Sequence, residues 1–276
     1  MNELLDMSYL MVNFGEAVKN MLTLMAMCTM RVFAAFMIMP PTMSQAIQAP
    51  VRNGMALMIG FFIAWGQPAR MMEDMQALML LALLLKEALI GVLLGFAIAV
   101  VFWVAEGAGA LIDNCAGFNN AQQTNPLSGE QSTPVSNLLS QLVIAGFYML
   151  GGMVVCAGLL FESFRWWPLA KLAPDLAGGL TQFISFQVEG YFSTVVKIAA
   201  PVMLVLVLID LAFGLLAKTA EKLEPNNLAQ PIKGVVATVM LALLVSLFFD
   251  QARESISLLP LQQELEQWMR GEPPTR

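Results

Sequence analysis

The sequence of 276 residues contains no histidine, only three cysteines, and few charges: Asp, Glu, Lys and Arg together make up 12%. Without histidine, no Ser-His-Asp triad, Cys-His pair or histidine-bearing metal site can be built. Cys28, Cys115 and Cys156 are scattered, with neither CxxC spacing nor a disulfide framework, and read as packing residues. No catalytic residue, metal ligand or cofactor is expected, and the chain reads as a non-enzyme. Lys and Arg number 14 against 20 Asp and Glu, for a net charge of −6, and form no basic run. Phosphate neutralisation needs clustered cations, so no nucleic acid is expected as a partner. Glu3, Asp6 and Glu16 outnumber Lys19, the reverse of a secretory n-region, so the apolar segments themselves are expected to direct insertion.

What the chain has in excess is apolar residues, 58% of the total, with a mean hydropathy of +0.70. An ordinary soluble domain carries about 25% charged residues. This one lacks the polar surface to face water on all sides and reads as a multi-pass membrane protein. A crossing takes about 20 apolar residues, each rising about 1.5 Å. The candidates are Met21 to Met39, Gln76 to Ala105, Leu138 to Phe161, Ile198 to Ala217 and Gly234 to Phe249. Gly54 to Trp65 is too short to span alone, and Gly178 to Val196 carries Glu189, so both read as interfacial, re-entrant or packed within protein. The apolar runs are continuous rather than alternating, which excludes a β-barrel and predicts an all-α fold.

Prolines at 40, 41, 50, 68, 126, 134, 168, 174, 225 and 231 fall outside the strongest runs, as helix punctuation should. Pro201 lies just inside a run and is either a first-turn proline or a kink. Thr133-Pro134 reads as an N-cap followed by proline at the first helical position. After Asp250 the tail is charged, with Leu258, Leu261, Leu265 and Trp268 at helical spacing before Gly271 to Pro274. It predicts an amphipathic helix and a disordered tip over 251–276.

No basic residue lies between Lys86 and Arg165, which places the stretch from Glu106 to Thr133 outside the cytoplasm. Arg165 and Lys171, and then Lys218, Lys222 and Lys233, are placed inside by the same rule. Both assignments together require 178–217 to enter and return as a hairpin.

Glu87, Gly91 and Gly95 recur every four residues and share one helix face. Small residues admit a neighbouring helix, and the carboxylate needs a partner. The stripe is either a subunit-contact seam or carries a Lys86–Glu87 pair satisfied within the chain. Arg31 and Asp210 are single charges in apolar runs, with mutual pairing one option. The stretch from Glu106 to Thr133 is rich in Gly, Asn and Gln and reads as a long irregular loop, which tolerates membrane depth only when it lines a cavity or is buried in protein. Most of the 21 methionines precede Leu80, where flexible thioethers suit core or lipid-facing packing.

In order along the chain stand Arg31 before Pro40, Val51-Arg52-Asn53, the Glu87-Gly91-Gly95 stripe, and Gly109-Ala-Leu-Ile-Asp113-Asn114 with Gly117. Then follow Asn125-Pro126-Leu-Ser-Gly129, Ser132-Thr133-Pro134, Ala200-Pro201, Leu208-Ile-Asp210-Leu with Gly214, and Gln230-Pro231-Ile-Lys233. Order and spacing together resemble the SctT/FliR family of type III secretion export apparatus, and the Ile-Asp-Asn phrase at Ile112 is closer to its injectisome branch. The resemblance implies an all-helical inner-membrane subunit joining SctR/FliP-like and SctS/FliQ-like subunits in an export gate that passes secreted polypeptides. It implies an SctR/FliP-like part over 1–177, including a plug-like loop at 106–133, and an SctS/FliQ-like helical hairpin over 178–250. Gly109, Asp113, Gly117, Phe118, Asn119, Asn125 and Pro126 then belong to the plug. Glu87, Gly91, Gly95, Asp210, Pro231 and Lys233 belong to subunit contacts, the Pro231–Lys233 turn facing an SctU/FlhB-like protein in the cytoplasm. Lipid is the remaining partner. The competing expectation is a secondary transporter or small-solute channel using Glu87, Asp210 and Arg31, against which stands the lack of a convincing inverted repeat.

Overall fold

The computed structural model describes residues 2–43, 46–72, 75–118, 123–124, 131–171, 180–219, 225–256 and 263. Among the described residues, seven α-helices carry the fold: α1 (Asn2–Ile38), α2 (Ala49–Trp65), α3 (Ala77–Ala116), α4 (Pro134–Met149), α5 (Gly152–Trp166), α6 (Leu180–Thr219) and α7 (Pro225–Ile256). Short 3-10 turns lie at Pro40–Thr42 and Ala69–Met72. The strands β1 (Gln123–Thr124) and β2 (Gln131–Ser132) form a two-residue antiparallel ladder, pairing Gln123 with Ser132 and Thr124 with Gln131. The fold is all-α.

Among the described residues, Met11–Ile38, Ala77–Ala116 and Thr181–Thr219 are long and apolar enough to cross a membrane. Helices α4 and α5 are long and apolar enough only together, as a pair bent by 74° that forms either a broken span or a re-entrant loop. The break is at Gly151, whose φ of +73° is costly for any residue with a Cβ. Helix α2, with 17 residues, is a shorter apolar helix, and the apolar stretch of α7, Leu228–Leu243, is short as well.

Two compact units divide the chain: Met1–Phe96 with Cys156–Gly178, and Ala97–Val155 with Gly179–Arg276. In the first, α1 packs on α2. Gly60 of α2 lies directly against Thr29 of α1, where a side chain would strike the Thr29 hydroxyl and backbone. Leu24, Met27, Cys28, Val32, Ala35 and Phe36 of α1 are buried, and the Cys156 thiol approaches the Met39 sulfur at 3.7 Å. In the second unit, α6 packs on α7 and α4 on α7, while Phe102 meets Phe147 edge to face at 5.4 Å between centroids.

Three expectations from sequence change here. Residues 106–116 are not loop but the last turns of α3. Their glycines make room for neighbours: a side chain on Gly109 would collide with the Ser136 backbone, and one on Gly107 would reach the Tyr191 hydroxyl at 2.5 Å. The segment 178–217 contains no hairpin, since α6 runs unbroken from Leu180 to Thr219 with Pro201 inside it. Pro201 removes one intrahelical bond, to the Lys197 carbonyl, and the remaining ladder holds the helix together. The hairpin that the lysine distribution called for is thus not found within α6. Pro231 and Lys233 sit within α7 rather than in a turn.

Candidate functional site

The polar centre of the first unit forms where α3 meets α1. Gly91 and Gly95, one helical turn apart, face Arg31 and Ala35, also one turn apart. A side chain on Gly91 would strike the Arg31 carbonyl, and a Cβ on Gly95 would come within 2.7 Å of the Ala35 carbonyl oxygen. Matching i,i+4 rows let the two backbones approach closely. The same approach brings Glu87, the third member of the stripe, to Arg31.

Arg31 and Glu87 are both fully buried, and the Arg31 Nε donates to Glu87 Oε2 at 2.6 Å. The rest of the guanidinium is also occupied. Nη1 donates to Ser163 Oγ at 3.0 Å, Nη2 to the Trp167 carbonyl at 2.9 Å, and Cζ lies 3.7 Å from the Phe164 ring centroid. Lys86, 7% exposed, places Nζ 2.7 Å from Glu87 Oε1. Its three protons are donated to the carbonyls of Pro168, Leu169 and Lys171 at 3.1–3.2 Å. An ammonium has three donors, so Oε1 is held by charge alone and carries no hydrogen bond of its own. Two cations against one carboxylate leave the cluster net positive, and the carbonyls just past the end of α5, a helix's negative pole, face that excess.

The expected seam is therefore internal: Glu87, Gly91 and Gly95 meet α1 of the same chain, and the Lys86–Glu87 pair is present. The option of an Arg31–Asp210 pair is also corrected, because Arg31 is taken by Glu87. Asp210 Oδ1 instead pairs with Lys233 Nζ at 2.8 Å, across α6 and α7. Sequence spacing gave no sign of Ser163, Phe164 or Trp167 as Arg31 partners, since they lie more than 130 residues away.

A second polar site lies where α3 ends and α4 begins, in the second unit. Asp113 is fully buried; its Oδ2 accepts the Val135 and Ser136 backbone N–H groups, both at 3.0 Å. It thereby satisfies two of the donors that every helix start leaves unpaired. Thr133 occupies the N-cap position with Pro134 following, but it makes no side-chain cap bond. The capping carboxylate comes from α3 and takes the role expected of Thr133. Ser136 Oγ in turn donates to the Glu106 carbonyl at 3.0 Å. Gly117, at φ +81°, ends α3 as a left-handed residue after the last helical turn. Gln230 Nε2 of α7 donates to the Gly117 carbonyl at 3.1 Å, and half-buried Phe118 faces Gly234. Gly109 and Asp113 are thus helical residues bound to α4 rather than parts of an irregular loop. Asn119, Asn125 and Pro126 lie outside the described residues, as do Leu258, Leu261, Leu265 and Trp268 of the tail.

Among the described residues no three Cys, Asp or Glu side chains gather in a way that could hold a metal ion. The charges that a transporter would use are consumed in internal pairs: Arg31 and Glu87 have no exposure, and Asp210 holds Lys233.

A sequence model described as Bacterial export proteins, family 1, matches residues 22–259, and thus every residue of both polar sites. The chain belongs to this family. It is 27% identical over 230 residues to the Yop proteins translocation protein T of Yersinia pestis, covering 83% of this chain and 88% of that protein. Similarity to the secretion system apparatus protein SsaT of Salmonella typhimurium is 27% over 236 residues, 84% of this chain and 90% of that protein. The flagellar biosynthetic protein FliR of Bacillus subtilis is 26% identical over 231 residues, covering 83% and 88%. These relatives belong to type III secretion and flagellar export apparatus. This member of bacterial export family 1 is accordingly an integral protein of the bacterial inner membrane.

Proposed function

We propose that this chain is a subunit of the inner-membrane export gate of a type III secretion system and helps to form and close the channel that passes unfolded proteins. The observation that carries the reading is the family match from residue 22 to 259, shared with proteins named for Yop translocation and for a secretion apparatus. The chain's own surface supports an assembly. In its most apolar window, the long helix α6 is only 17% buried, against 61% for α3, and exposes Leu204, Val207, Leu208, Leu211 and Leu215. At about 1.5 Å per residue, 40 residues reach about twice the hydrocarbon thickness, so lipid alone does not cover such a helix.

In this reading the partners are SctR/FliP-like and SctS/FliQ-like subunits, with an SctU/FlhB-like protein near the start of α7 in the cytoplasm, lipid around the rim and secreted polypeptides in transit. Residues 1–177 supply the SctR/FliP-like part, 178–250 the SctS/FliQ-like helical hairpin and 251–276 an amphipathic end. The segment that follows Phe118, including Asn119, Asn125 and Pro126, closes the channel at rest. Asp210, Pro231 and Lys233 lie beside the contacts with neighbouring subunits. The secondary-transporter alternative is not favoured, because Arg31 is already paired with Glu87 and Asp210 with Lys233.

Copurification tests the reading. Expressed with its neighbouring export genes, the chain should be recovered in a hetero-oligomer of defined size on native gels and should aggregate when produced alone. A stable, monodisperse monomer or homo-oligomer in the absence of those partners would contradict it.

A further inference from the structure

From Met11 to Leu22 every residue of α1 is exposed except Asn20, which is half-buried; Phe14 is 72% and Leu22 60% exposed. Full burial begins at Leu24, and it covers one side of the helix. Leu24, Met27, Arg31 and Ala35 face into the unit, and the opposite side stays open.

On the open side the residues fall into two neighbouring rows of four-residue spacing. Phe14, Val18, Leu22, Ala26 and Met30 make up one row, and Met21, Met25, Thr29 and Phe33 the next. Thr29 is the one polar member. Between the rows, from Leu22 to Phe33, runs a groove of about 270 Å³ with Leu57 of α2 on its rim, closed on one side where Gly60 meets Thr29.

The groove's size, the change of surroundings along the helix and its charge together say what covers this face. Small-molecule sites start at about 300 Å³, so a groove of this size takes side chains better than a ligand. Exposed Glu16 and Lys19 keep the first part of the face near water, whereas from Met21 to Phe33 the one charge, Arg31, is buried in the unit. An acyl chain can line the second part and not the first. A single α-helix covers both, since residues 11–33 extend over about 33 Å. Rows of four-residue spacing receive the matching rows of another helix at a crossing angle of about −50°. Lys19 flanks the first row beside Leu22, while Asn13, Glu16 and Asn20 lie further round the helix. Among the described residues its ammonium is in no ion pair, which leaves an exposed cation at the edge of an apolar face.

We propose that this face of α1 docks one apolar α-helix of a neighbouring export-gate subunit, which lays its own four-residue rows into the groove and brings a carboxylate to Lys19. The proposal rests on the reading of the chain as a gate subunit; it adds which surface is used and what chemistry the partner helix carries.

The test uses the complete complex, assembled in cells from its export genes, with a photoreactive p-benzoylphenylalanine in place of Leu22 or Ala26 on the face, or of Asn13 on the far side. Illumination should join the Leu22 and Ala26 versions to one other product of those genes, and the Asn13 version should not give that adduct. Mass spectrometry should place the adduct in an apolar helix with an Asp or Glu within a turn or two. Lys19→Glu should reduce the adduct severalfold, and changing the mapped acid to Lys should restore it. Ala26→Trp fills the groove and should abolish assembly, while Asn13→Trp should leave it intact. An adduct with a second copy of this chain, with lipid alone or with nothing, in complexes that native gels show to be assembled, overturns the docking surface and leaves the gate reading standing. So does charge reversal that restores nothing. If no hetero-oligomer forms at all, the gate reading falls and the docking surface with it.

Discussion

Arg31 Nε lies 2.6 Å from Glu87 Oε2 with both side chains fully buried, so one ion pair ties the last third of α1 to the first third of α3. Removing one member of a buried pair strands the other charge, at a cost of about 3–5 kcal/mol. Glu87→Ala strands two cations, Arg31 and Lys86, and should abolish recovery of folded complex. Arg31→Met combined with Glu87→Leu should be less harmful than Glu87→Ala alone, since the double change removes the pair and leaves Lys86 on its three carbonyls. Thermal unfolding of detergent-purified complexes checks the order. A double variant worse than either single one would show that the pair itself, and not its imbalance, stabilises the contact.

The glycine contacts give a sharper comparison. A methyl group on Gly91 meets the backbone carbonyl of Arg31, which cannot turn aside, whereas one on Gly158 or Gly214 meets nothing within 4 Å. Gly91→Ala should lower the yield of assembled complex severely, and Gly158→Ala should leave it unchanged or slightly raised, as a helical alanine gains about 1 kcal/mol over glycine. Equal yields from the two would contradict the close α1–α3 approach.

For the start of α4, the cap predicts an asymmetry between two neighbouring positions. Loss of an N-cap acceptor costs about 0.5–2 kcal/mol. Asp113→Ala should speed amide exchange at Val135 and Ser136, and Asp113→Asn, which keeps an acceptor, should do so less. Thr133→Ala should leave both amides protected, because Thr133 makes no cap bond. Hydrogen exchange read by mass spectrometry over the α4 start distinguishes them. Stronger exchange in Thr133→Ala than in Asp113→Ala would reverse the assignment.

Much of this architecture was legible in the sequence for a simple reason: apolar length reports a membrane helix directly. Most of the long runs fell on helices, and the four-residue spacing of Glu87, Gly91 and Gly95 marked a close helix contact. What the spacing could not reveal was the partner, since Arg31 lies 56 residues from Glu87 and Ser163 lies 132 from Arg31. Composition misled at Glu106–Ala116, where glycines that admit the α4 backbone and an α6 side chain looked like loop glycines. It misled again at α6, where Glu189 and its polar neighbours suggested a break that the continuous backbone does not have. Asp113 looked like a plug residue because a carboxylate beside glycines and amides reads as polar loop, while its two N–H partners on α4 are visible only in three dimensions.

The central claim is that this subunit helps close a channel wide enough for an unfolded chain, and the resting ion leak of the inner membrane tests it most directly. Cells are compared that carry the complete export complex with either the full chain or a version lacking residues 119–122, with equal assembly shown on native gels. The account predicts that the shortened version raises membrane conductance and sensitivity to small solutes, with Phe118→Ala doing the same more mildly. Normal assembly of the shortened version with conductance and solute sensitivity unchanged would contradict it.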